Sequence, residues 1–220
     1  MQARYRQDYP GEFVITESKW SGGKKQENRE WIANPIVNQH ISGRAACIGS
    51  LFDLDQFNPK HLETHRGGLL GSKKLQTYGT AVVAKHMRLD FAVELDYTNI
   101  ESLLATDYAK QNVIYTTPRN CLRNPGEFYL IPQNPHFCTE VLPIYLAAFD
   151  GHSEIYMLGY NKDTPAGKLN WIDEVTLLIK AYSGILFVMV GNQHNMPDDW
   201  MSCTNTKNLT YREFVTHCDV

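Results

Sequence analysis

Three carboxylates, Asp90, Glu94 and Asp96, stand at even spacing in a short segment. In an extended chain, side chains alternate between faces, so all three project from one side. A carboxylate so placed can serve as general base toward a hydroxyl. Asp96 is the first candidate for that role; its alternative is to cap a helix starting near Asn99. His136, in Asn134-Pro135-His136, is the second, ahead of a helix expected from Thr139. A helix N-terminus attracts phosphate, so Asn134, His136 and Thr139 could meet a nucleotide.

Further polar residues close other apolar runs. Gly49-Ser50, Thr116-Thr117 and Tyr160-Asn161 each follow a strand-like segment. Arg119 and Asn120 add donors, and a guanidinium can clamp a phosphate with two parallel hydrogen bonds. Tyr160 and Asn161 could touch a base or a ribose. Lys24, Lys25, Lys73 and Lys74 lie in Gly-rich stretches and suit contacts with a nucleic-acid backbone, or simply with water. Asp53-Leu54-Asp55 has the spacing of a metal motif, but capping explains it better, so no metal is expected.

The elements that must hold these residues alternate in type. Apolar runs at 45–49, 89–95, 112–116, 154–158 and 185–190 read as strands, with short ones at 12–16 and 128–131. Helical spacing marks 80–86, 99–110, 139–149 and 170–182, with a last short helix from Tyr211. Ser21-Gly22-Gly23-Lys24-Lys25-Gln26 reads as a loop, and so does the Pro- and Asn-rich stretch 118–135. Alternating strands and helices imply right-handed crossovers and a three-layer, mostly parallel α/β sheet with helices on both faces. Ligands bind such sheets beyond the carboxyl ends of the strands, where strand order reverses. The expected organisation is one α/β domain over 1–220, with residues 1–44 as an extension packed on it.

Bulk properties narrow the classes. The chain has 220 residues, 43% of them hydrophobic and 20% charged, and a formal net charge of −3. Global charge therefore gives no sign of a nucleic-acid binder. Between Lys60 and Arg88, however, six cations face the single anion Glu63, which is either a solvated face or a surface for phosphate. Five cysteines with no CxxC pair argue against a disulfide framework or a zinc ribbon and suit a reducing cytoplasm. No apolar run is long enough for a membrane span.

Taken together, the strand ends resemble a known layout. The Gly49-Ser50 turn followed by FDLDQF is similar to the nucleotide-binding opening of compact Rossmann-like glycosyltransferases. These include the bacterial sialyltransferases of lipooligosaccharide synthesis and related proteins of pterin-pyrophosphokinase type. TYGTAVVAKHMRLDFAVELD is similar to their second block, and NPHFCTEVLPIYLAAFDGHSEIYMLGYN resembles their third. The layout spans roughly residues 45–190. It departs from the family at Gly49-Ser50-Leu51, where a second Gly and an Asn are missing. It also departs at Pro165-Ala166-Gly167, where the family carries a catalytic His.

The resemblance implies a glycosyltransferase that uses a UDP- or CMP-linked sugar. A phage enzyme that decorates hydroxymethylated bases is similar in size, so double-stranded DNA is the implied acceptor, ahead of a saccharide. Two other readings stand beside it: a pyrophosphokinase-like transferase, and a non-catalytic nucleotide-binding module on the same fold. Fold alone does not choose among them.

Overall fold

The computed structural model describes residues 12–32, 43–52, 58, 62, 75–132, 135–164 and 171–220. Its centre is a mostly parallel eight-stranded sheet with helices around it, a three-layer Rossmann-like α/β fold. The strands are β3 (Arg44–Ile48), β4 (Gln76–Thr80), β5 (Phe91–Val93), β6 (Val113–Thr116), β7 (Tyr129–Leu130), β8 (Glu154–Leu158), β9 (Leu186–Val190) and β10 (Thr206–Leu209). Their spatial order is β10-β9-β8-β3-β4-β5-β6-β7. From β3 the chain steps outward through β4 to β7, then returns to lay β8 on the other side of β3. Strand order reverses between these two, and they pair in parallel from Arg44↔Glu154 to Ile48↔Leu158. The chain divides into two compact units, Met1–Gln39 with Val93–Asn134, and His40–Ala92 with Pro135–Val220.

In the second unit the central strands are buried on both faces, which is why they read as unbroken apolar runs. Ala45 to Ile48, Ile155 to Leu158 and Phe187 to Val190 are all essentially inaccessible. The helix α5 (Leu142–Phe149) packs on β3, β4 and β8 and is buried all round from Leu142 to Ala148. A helix apolar on every side belongs in such a place. Its Pro143 sits in the first turn, where the missing N–H costs nothing. The helix α6 (Trp171–Ala181) carries Trp171 edge-on against Trp200, with ring centroids 5.2 Å apart.

β4 runs through QTYGT and is buried at every position, although its composition is polar. Its two central polar side chains, Thr77 and Tyr78, find partners inside. Asp90 accepts from the Thr77 backbone N–H at 2.8 Å and from the Thr77 hydroxyl at 3.0 Å. The Tyr78 hydroxyl donates to Asp150 and lies 2.9 Å from His152 Nε2. The sequence reading missed this strand, because buried strands are sought among apolar residues. It also missed β10, a half-exposed edge strand reading TKNL.

In the first unit, β1 (Glu12–Ser21) and β2 (Lys24–Ile32) form a separate antiparallel hairpin. The expected loop at 21–26 is therefore a two-residue turn between strands, and Lys24 and Lys25 belong to β2. Both turn residues, Gly22 and Gly23, have positive φ (58° and 76°), as a type I′ turn requires. The helix expected over 99–110 is two, α2 (Tyr97–Leu104) and α3 (Tyr108–Gln111). The expected loop 118–135 contains α4 (Pro118–Arg123), with Pro118 in its first turn.

A candidate functional site at the reversal of strand order

Three strands of the second unit deliver their carboxyl ends to one place. β3 ends on Gly49-Ser50, β8 on Gly159-Tyr160-Asn161 and β9 on Gly191-Asn192. Beyond them lies a cavity of about 540 Å³, lined by Ser50, Leu51, Phe52, Gly159, Tyr160, Asn161, Asp163, Asn192, Asn195, Met196 and Tyr211 among others. The loops are shaped by their own side chains. Asn161 Oδ1 accepts from the Asp163 N–H at 2.8 Å, and the Asn161 N–H donates to the Thr164 hydroxyl at 3.0 Å. Asn192 Oδ1 accepts from the His194 N–H at 3.1 Å. A backbone bond from Lys162 N–H to the Asn195 carbonyl, 2.9 Å, ties the two loops together.

The lining is rich in amides and carries two aromatic rings, Phe52 and Tyr211, edge-to-face at 6.2 Å. Amides and a hydroxyl suit a base and a ribose, and the rings offer an apolar wall. No Lys or Arg is among the described lining residues.

Tyr160 is almost wholly buried, and its hydroxyl has no hydrogen-bond partner among the described residues. Burial pushes its pKa well up, with Cys47, Glu140 and Cys138 adding to the rise. The hydroxyl thus faces the interior, and Tyr160 meets the cavity with another part of its surface. Ser50 Oγ is likewise buried without a partner among the described residues.

A second, smaller pocket of about 150 Å³, the smaller lobe, shares the lining residues Ser50 and Phe52 with the first. It is bounded by Ile48, Gly49, Ser50, Phe52, Val82, Val83, His86 and Met87, so Ser50 and Phe52 stand between the two lobes. Val82 and Val83 come from α1 (Ala81–Ala84), and His86 follows its end, exposed. His86 was not among the expected site residues. Only recognition of β4 just before it would have placed it at a strand end.

Gly49, Ser50, Tyr160 and Asn161 are therefore brought together. The remaining expected residues are not among the described lining residues. In the first unit, Glu94 is buried at the end of β5. Its Oε1 accepts from the N–H groups of Leu95 and Asp96, each at 2.9 Å, and its Oε2 from Asn99 Nδ2 at 3.2 Å. Burial raises its pKa, while these donors pull it down. Asp96 is exposed and caps α2, its Oδ1 accepting from the Thr98 N–H at 2.8 Å. The Thr116 hydroxyl donates to the Glu94 carbonyl at 2.6 Å and accepts from Asn120 Nδ2 at 2.9 Å. Asn120 also donates to the Leu95 carbonyl, and Thr117 caps α4. Arg119 is exposed on that helix.

The expected single face of Asp90, Glu94 and Asp96 does not arise. β5 spans only Phe91–Val93, so strand alternation does not reach across all three. His136 also departs from expectation. It is exposed at φ 60°, and the helix after it begins at Leu142 rather than Thr139, so His136 is not at that helix's N-terminus. Lys24 and Lys25 are exposed. Lys73, Lys74, Asn134, the Asp53-Leu54-Asp55 segment and the 165–167 segment lie outside the described residues. Among the described residues no group of three or more His, Cys, Asp or Glu could hold a metal, and no helix is long and apolar enough to cross a membrane. No protein-family model, curated protein or solved structure matches the chain.

Proposed function

We propose that the chain is a glycosyltransferase that holds a nucleotide-linked sugar in the cavity beyond β3, β8 and β9 and transfers the sugar to a hydroxyl. One observation carries this reading: the cavity lies at the reversal of strand order and is lined by amides and aromatic rings. Asn161, Asn192 and Asn195 offer donors and acceptors to a base or ribose, with Phe52 and Tyr211 as the apolar wall. A UDP- or CMP-linked sugar fits this description.

The smaller lobe is assigned to the acceptor, with His86 as general base. The bond from the sugar's anomeric carbon to the nucleotide phosphate breaks, and a bond forms from that carbon to the acceptor oxygen. The acceptor proton passes to the His86 imidazole, and the nucleotide leaves with the bonding pair. A hydroxymethylated base in DNA is the proposed acceptor, ahead of a saccharide.

A specific observation favours a second reading, a nucleotide-binding module without turnover. The carboxylate of Asp96, the first candidate for general base, is engaged by the Thr98 backbone N–H.

The deciding experiment incubates the protein with UDP- and CMP-linked sugars and hydroxymethylated duplex DNA or a saccharide, and follows nucleotide release and acceptor mass. The transferase reading expects release coupled to a mass gain, abolished by His86→Ala. Binding of nucleotide without release selects the module; neither binding nor release ends both readings.

A further inference from the structure

A second feature is carried by the hairpin of the first unit. From Lys19 to Gln26 every residue is exposed, so neither face of the hairpin tip is covered. A two-stranded ribbon alone is marginally stable in water, and one that projects both faces is shaped for a partner. The stretch from Ser18 to Gln26 carries three lysines and no acid, in a chain whose net charge is −3. At the tip stands Trp20, 75% exposed, whereas Trp171 and Trp200 are buried. The register pairs Trp20 with Lys25 and Lys19 with Gln26. Paired residues share a face and successive pairs alternate, so the indole and Lys25 lie on one side and Lys19 on the other.

We infer that this tip is a nucleic-acid-binding ribbon, with Lys19, Lys24 and Lys25 meeting backbone phosphates and the Trp20 indole stacking on a base. Local charge selects a polyanion. The flat, exposed indole selects one that carries bases, because every base offers a face for stacking. This site is independent of the transferase reading, since it concerns binding alone.

The test is fluorescence anisotropy of labelled single-stranded and duplex DNA with the full chain across a salt series. Heparin and phosphatidylserine vesicles serve as base-free polyanions. Trp20→Ala is expected to weaken DNA binding about tenfold with little change in salt slope, and Trp20→Phe to retain most of the affinity. Lys24→Gln with Lys25→Gln should flatten the slope of log K against log salt by roughly 2. Lys180→Gln, a charge loss on an exposed helix position, should change neither beyond error. All variants should melt with the wild type, because the tip is uncovered on both faces. DNA binding that ignores Trp20→Ala, an absence of DNA binding, or equal binding of heparin or vesicles would each overturn the inference.

Discussion

Gly49 and Gly159 meet backbone to backbone: a Cβ built on Gly49 would stand 2.7 Å from the Gly159 carbonyl oxygen. The Gly49 N–H donates to the Leu158 carbonyl at 2.7 Å, which holds the two strand ends in register. Gly159 is doubly constrained. Its φ is +72°, and a Cβ there would lie 2.5 Å from the Phe52 nitrogen. Close approach of this kind is possible only without side chains, and it lets Ser50 and Phe52 sit beside Tyr160 and Asn161. Gly49→Ala is expected to cost about 1–3 kcal/mol through overpacking. Gly159→Ala should cost more, since a left-handed backbone adds about 1 kcal/mol or more. Urea unfolding of both variants measures the order.

Tyr160 gives a prediction of opposite sign. Its hydroxyl is buried without a partner among the described residues, a state that costs about 1–3 kcal/mol. Tyr160→Phe removes the hydroxyl and keeps the ring. Stability should hold or rise by about 1 kcal/mol, and ligand affinity should not change. A marked loss of stability on denaturant unfolding would mean that the hydroxyl is engaged after all.

Asp96 separates capping from catalysis. Asn caps a helix about as well as Asp, whereas Ala does not. Asp96→Asn should therefore leave stability and any turnover intact, and Asp96→Ala should cost about 1 kcal/mol. Loss of turnover in the Asn variant, with unchanged melting, would restore Asp96 as a base.

The parts of the fold that were legible are those whose apolar pattern is complete. β8 and β9 are buried on both faces and read as continuous apolar runs, and α6 shows helical spacing from Trp171 to Ile179. β4 was hidden because Thr77 and Tyr78 are buried with their polar atoms satisfied by partners distant in sequence, Asp90, Asp150 and His152. Local composition carries no trace of such partners. The same holds for the site. Gly49, Ser50, Tyr160 and Asn161 were found because they end recognisable strands, and His86 was missed because it follows one that was not. Trp20 stands exposed beside the Gly22-Gly23 turn, a placement that residue type alone does not reveal.

Glu94 sets a pH dependence. Burial, the largest influence, raises its folded pKa above the ordinary value of 4.5, and the N–H groups of Asp96 and Leu95 and the Asn99 amide only partly offset it. A carboxyl with a raised folded pKa binds its proton more tightly when folded. Its contribution is full below about pH 4.5 and is lost as pH rises through the folded value. Glu94→Gln cannot ionise. Its melting temperature should gain on the wild type as pH rises from 4 to 7. A constant difference across that range would contradict the assignment.

The central claim is that the cavity beyond β3, β8 and β9 holds a nucleotide-linked sugar. Its most direct test is a thermal-shift titration of the wild type and Asn161→Ala with UDP- and CMP-linked sugars, since a ligand that binds the folded state raises its melting temperature. A saturable rise is expected for at least one donor in the wild type, and its loss in the variant. No rise with either donor, or the same rise in the variant, would contradict it.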